Sequence, residues 1–182
     1  MIVINIQNPG KPDLPLLMMV ALLFIAACSR SEDQKEFEQE AFRMPENYTE
    51  TTPHGEIVSK DEGDWNIGPM FQGSVEIETP PFPNPTHHDP VQIELYISGS
   101  RTVDGLRAEA FYDMFDSMNR RTLYQHDRSP LEPGLMVFEI YPENFDRHNN
   151  YSNARQVNDG LHRLFIFDNR NNLITYGDIK LK

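Results

Sequence analysis

Val91-Gln92-Ile93-Glu94-Leu95-Tyr96-Ile97 is the stretch on which the fold turns. Aliphatic residues at every second position, separated by Gln92, Glu94 and Tyr96, put one face of an extended segment in a core and leave the other to solvent. Upstream, Ser74 to Glu78 predicts a shorter strand closed by Pro80-Pro81. Downstream, a longer strand carries Ala108, Ala110, Tyr112 and Met114 on one face and Glu109, Phe111 and Asp113 on the other. Ser117-Met118-Asn119 turns the chain, Asn119 being the residue there that best tolerates a positive φ, and Thr122 to Gln125 returns as the partner strand. Leu135 to Tyr141 forms another run after Pro133-Gly134, followed by a polar loop from Glu143 to Asp159 that is long for a compact domain. The closing hairpin runs from Leu161 to Phe167, turns through Asp168 to Asn172, and returns over Leu173 to Leu181. About seven strands, no amphipathic helix and no internal repeat predict an all-β domain over 65–182, an antiparallel β-sandwich of immunoglobulin-like type.

Before Trp65 the composition shifts. Glu32, Asp33, Glu36, Glu38, Glu40, Glu46, Glu50 and Glu56 dominate residues 28–64, the composition of a self-repelling, extended tether. Pro45, Pro53 and Gly55 exclude a long helix, while Phe37, Phe42, Met44, Tyr48, Ile57 and Val58 leave room for an edge strand along the domain.

Residues 1–27 read as a leader. The apolar run from Leu14 to Ile25 is short for a membrane span, and small Ala26 and Ala27 precede Cys28. Ile25-Ala26-Ala27-Cys28 resembles the lipobox of bacterial lipoproteins. The resemblance implies cleavage after Ala27, a diacylglyceryl group on the Cys28 sulfur and acylation of its new amine. Lys11 is offset by Asp13, so the stretch ahead of the apolar run lacks the net positive charge of a normal leader, and the true translation start is expected to differ from Met1.

The remaining chain of about 150 residues is enough for one domain with a real core. Cys28 is the only cysteine, so no internal disulfide or thiolate metal site is expected. With a net charge of −12 and no dense run of Lys or Arg, nucleic acid is excluded as a partner. The same acidity repels anionic lipid, so membrane attachment falls to covalent lipid on Cys28, for which more than one acyl chain gives a stable anchor.

The order of motifs along 80–182 resembles the C-terminal sorting domains of type IX secretion cargo, which share an immunoglobulin-like sandwich with the flagellar hook-capping domain. The residues that carry it are Phe82-Pro83-Asn84-Pro85-Thr86 before an alternating strand, Met114-Phe115-Asp116-Ser117-Met118-Asn119-Arg120 at a hairpin, Pro133-Gly134 before a strand, and Gly160-Leu161 opening the final hairpin. Pro83 and Pro85 stiffen the strand entry around Asn84 and withhold backbone donors from a sheet edge. Asp116 is placed to accept from turn amides and to pair with Arg120. Asn119 stands where the similar domains have glycine, Leu161-His162-Arg163 replaces a tyrosine-centred start, and only a short acidic segment precedes the domain in place of a cargo.

No catalytic set, metal site or cofactor site is expected. His87-His88-Asp89 lacks the further ligands that a metal needs. His126-Asp127 has no activated nucleophile beside it. Asp61, Glu62 and Asp64 lack a glycine-spaced calcium loop. Trp65 reads as a buried anchor, with Ile67, Met70 and Phe71 close behind it. Asn47-Tyr48-Thr49 and Asn150-Tyr151-Ser152 fit the glycosylation sequon, without weight beside a bacterial lipobox. The expected function is that of a non-enzymatic, lipid-anchored envelope protein of the outer membrane, whose sandwich serves as a structural or interaction module for an envelope protein or glycan partner. Ser29 after the cysteine favours the outer membrane; Glu32-Asp33 resembles the acidic pairs of surface-exported lipoproteins and equally reads as the start of a solvated tether, which leaves the cell surface and the periplasmic face both open. The alternatives are a carbohydrate-binding accessory domain using Tyr96, Phe111, Tyr124 and Tyr151, and a protein of the type IX sorting-domain kind.

Overall fold

The structure is a computed structural model that describes residues 32–111, 120–126, 128–145 and 160–182. A helix, α1, spans 32–41. Nine strands follow among the described residues: β1 (Glu50–Thr51), β2 (Ile57–Ser59), β3 (Val75–Glu76), β4 (Val91–Ile97), β5 (Leu106–Phe111), β6 (Arg120–His126), β7 (Gly134–Ile140), β8 (Gly160–Phe167) and β9 (Leu173–Leu181), with a 3-10 turn at Pro142–Phe145. They form a three-stranded sheet in the order β3-β4-β7, a four-stranded sheet in the order β6-β5-β8-β9, and a small β1-β2 hairpin. Every strand pair is antiparallel. The all-β sandwich expected from the sequence is the architecture observed. The seven expected strands are β3 to β9, and β1 and β2 are added to them from the acidic segment.

The core lies between the two larger sheets. Val91, Ile93, Leu95 and Ile97 of β4 meet Leu106, Ala108 and Ala110 of β5, Phe138 and Ile140 of β7, and Leu164, Ile166, Ile179 and Leu181 from β8 and β9. Strand β4 shows the alternation its sequence dictates, with those four residues buried and Tyr96 exposed. Strand β9 is different, being buried at every position from Leu173 to Ile179. A strand buried on both faces needs a second layer, and α1 supplies it. Ala41 joins Phe165, Phe167, Leu173 and Tyr176 in a second cluster, with Phe37 and Phe111 packed against it.

Over 32–64 the acidic segment carries α1, β1 and β2, so the expectation of no amphipathic helix is corrected, while the strands fall in the stretch where the sequence left room for one. Gln34, Phe37 and Ala41 stand at the three- and four-residue spacing of one helix face. That stripe holds a single large apolar residue, too thin to stand out among the acids, yet Gln34 and Ala41 are buried. Pro45 lies beyond the helix end, consistent with the exclusion of a long helix.

Cys28, Ala27, Asp116, Asn119, the turn at Ser117-Met118-Asn119 and the loop beyond Phe145 up to Asp159 lie outside the described residues.

Candidate functional site

The outer edge of β9 is where the acidic segment meets the sandwich. An edge strand presents unpaired backbone groups that must be covered or satisfied. Here two side chains and two short backbone stretches do so in sequence. Gly68 N donates to Ile174 O and Trp65 N to Tyr176 O. Asp178 N donates to Asp64 Oδ1 at 2.7 Å. Asn84 Nδ2 donates to Asp178 O at 2.9 Å, and Lys180 N donates to Asn84 Oδ1 at 2.9 Å. Thr86 N then donates to Lys180 O. The Asp64 carboxyl and the Asn84 amide thus stand in for a neighbouring strand.

Asn84 is fully buried and also holds the segment before it, through Nδ2 to Thr49 O at 2.9 Å and through its own N–H to Thr51 Oγ1 at 3.0 Å. Both flanking bonds, Phe82-Pro83 and Asn84-Pro85, are cis. The sequence reading assigned Pro83, Asn84 and Pro85 to a strand entry; the amide of Asn84 as a surrogate ladder partner is a role that reading missed.

Trp65 fixes the same seam from the core side. It is buried, as its sequence surroundings predicted, and sits at φ 60°, an uncommon conformation for a bulky residue. Gly177 of β9 makes this possible, because a Cβ there would overlap the indole ring.

On the outer face of β8 and β9, Arg163 and Asp178 are direct cross-strand partners. Arg163 Nε and Nη2 donate to the two Asp178 oxygens at 2.8 and 2.6 Å, a bidentate pair. Arg163 Nη1 also donates to Ala41 O at 3.0 Å and Arg43 O at 2.7 Å, satisfying carbonyls at the end of α1. Its guanidinium lies 5.1 Å from the centre of the Tyr176 ring, on which Phe37 of α1 also packs. A cleft of about 240 Å³ opens here, lined by Glu40, Arg43, Asp61, Asp64, Arg163 and Asp178 among others.

The titrations reflect this crowding. Burial pushes the Asp64 carboxyl up to about 7, against the pull of the Thr49 and Asp178 amides and with the Asp178 carboxylate adding to the rise. Burial also raises Asp178, while the Arg163 pair pulls it back. Burial lowers Arg163, but the hydrogen bonds and charge of Asp178 outweigh it and leave the guanidinium above its ordinary value. Burial raises the Tyr176 hydroxyl. Two carboxyls and a guanidinium in one cleft could move a proton, yet each oxygen named is engaged with a backbone amide or with Arg163. Chemically the arrangement is a fastening. Asp64 was weighed in the sequence as a calcium ligand; Arg163, Asp178 and Gln34 were missed. The available signal was a charged pair facing across an otherwise apolar hairpin.

The other candidates are dispersed. His87 Nδ1 contacts Lys182 O, and its ring lies 4.0 Å from that of His88. His126 meets the Tyr124 hydroxyl at 3.3 Å. Among the described residues no group of three or more His, Cys, Asp or Glu is placed to hold a metal ion. Arg120 reaches Glu109 at 3.5 Å; Asp116, its expected partner, lies outside the described residues. Gly134, at φ 130°, opens β7, and Gly160 opens β8. Of the rings weighed for sugar stacking, Phe111 packs edge-on against Phe42 and Phe165, and Tyr124 stacks on Phe138 at 4.3 Å. Tyr96 is exposed on β4, and Tyr151 is outside the described residues.

No helix among the described residues is long and apolar enough to cross a membrane. No family model matches the chain, and no curated protein matches it. Among solved structures, it is similar to a β-glucosidase involved in saponin metabolism from intestinal bacteria, at 22% identity and a TM-score of 0.39, over 70% of this chain and 17% of that one. It is also similar to the β-D-glucoside glucohydrolase of Trichoderma reesei, at 13% identity and a TM-score of 0.33, over 60% of this chain and 18% of that one. The chain spans less than a fifth of either, and a likeness this low carries no argument about activity.

Proposed function

We propose that this chain is a lipid-anchored envelope protein whose β-sandwich acts as a non-enzymatic structural or interaction module, held in the outer membrane through Cys28. The observation that carries the reading is the apolar run from Leu14 ending in Ile25-Ala26-Ala27-Cys28. The seam along β9 supports it, because the polar groups gathered there join the segment that follows Cys28 to the sandwich. Metabolic labelling with a palmitate analogue, followed by membrane fractionation, tests the anchor. The expected result is a labelled, membrane-associated protein that loses both properties on Cys28→Ala. Unchanged labelling and fractionation of that variant would remove the reading.

A further inference from the structure

We infer that the sandwich rests against the lipid surface, with the end that carries the β8–β9 turn and residues 68–70 facing the headgroups; the inference rests on the Cys28 anchor proposed above. The first observation is the docking of α1. Gln34 is buried, its Nε2 donating to Leu173 O at 3.1 Å and its Oε1 accepting from Met70 N at 3.1 Å. Phe37 packs on Tyr176 at 5.2 Å, Ala41 is fully buried, and Arg163 holds the carbonyls of Ala41 and Arg43. Folded structure therefore reaches back to residue 32.

The second observation is the length of chain that joins this helix to Cys28. Four residue steps span at most about 14 Å when fully extended, whereas a free segment from 28 to 64 could span roughly 120 Å. Diacylglyceryl on Cys28 would sit in the bilayer, so the start of α1 stays within about 14 Å of the anchored cysteine.

The third observation is direction. Gln34 lies at Leu173, where β9 begins, and the end of α1 lies at Asp178, so helix and strand run the same way. The start of α1 thus shares one end of the sandwich with the turn at 168–172 and with Met70, which is 41% exposed. Arg170 is exposed on that turn and pairs with Asp104. The opposite end holds Thr86 to His88 beside Lys182, roughly 26 Å away along eight residue steps of β9. Exposed Glu32 and Asp33 at the start of α1 give no attraction to anionic lipid. The short connection sets the distance, and the place of the α1 start at one end of the sandwich sets which end faces the lipid.

The test uses the acylated full-length chain in phosphatidylethanolamine and phosphatidylglycerol vesicles. Acylation blocks Cys28, so Met70→Cys and His88→Cys each introduce a single free thiol for a fluorescent label. A headgroup nitroxide lipid should quench the label at position 70 several-fold more than that at position 88. A 20-residue Gly/Ser insertion between Ser31 and Glu32 should bring the two positions to equal quenching while the protein still floats with the vesicles. Equal quenching in the acylated, co-floating parent chain overturns the inference and leaves the anchor standing. A chain that carries no acyl group when isolated from its own membranes, yet still fractionates with them, overturns the anchor and the inference with it.

Discussion

Replacing Asp64 with Asn separates two opposing effects at the seam. In the folded chain both Asp64 oxygens accept backbone N–H groups, from Thr49 at 2.8 Å and Asp178 at 2.7 Å. Below neutrality the protonated Asp64 keeps some acceptor capacity on its hydroxyl oxygen whereas the NH2 of Asn has none, so one buried N–H loses a weak partner at a cost of about 1 kcal/mol. The titration acts the other way. Folding raises this carboxyl from 3.8 to about 7, so its stabilising contribution is complete below about pH 4 and is lost as pH rises through about 7. That interval corresponds to a loss on the order of 4 kcal/mol. Asp64→Asn is neutral throughout and removes this slope. The variant should therefore unfold more easily than the parent at pH 4 by up to about 1 kcal/mol, with the difference shrinking as pH rises and reversing by about pH 8. Urea unfolding between pH 4 and 8.5, followed by the fluorescence of Trp65, reads both. A difference that stays constant across that range would refute the reasoning, because it would mean Asp64 is ionised in the folded chain throughout.

The same seam supplies further expectations. Gly177→Ala drives a methyl into the Trp65 indole and should cost about 1–3 kcal/mol or more, read as a fall in the urea midpoint; an unchanged midpoint would show that the ring is not held there. Asn84→Ala removes the partner of two carbonyls and one amide and should cost about 3 kcal/mol, with faster hydrogen exchange at Lys180 as its local signature. Arg163→Ala frees the carbonyls of Ala41 and Arg43 and leaves Asp178 unpaired, so it should destabilise the chain by about 3 kcal/mol and accelerate exchange in 32–41 before the β4 core responds.

How much of this was legible in the sequence depended on whether a residue's role followed from its neighbours in the chain. Val91 to Ile97 and Leu173 to Leu181 were read at the bounds observed, because period-two patterning and the Asp168 to Asn172 turn are local signals. Trp65 was readable as an anchor from the apolar residues beside it. Helix α1 was not, since Phe37 and Ala41 have meaning only against Tyr176 and Phe165, more than a hundred residues away. Asn84 was recognised in its motif, but its amide acts on Asp178 and Lys180, partners set by topology. Asp64 looked like one acid among three; only burial beside β9 distinguishes it from Glu62.

The most direct measurement is the mass of the N-terminal peptide of the protein isolated from its own membranes. The account predicts a peptide beginning at Cys28 and carrying diacylglyceryl, with or without a further amide-linked acyl chain. A mature N-terminus elsewhere, or an unmodified Cys28, would contradict it.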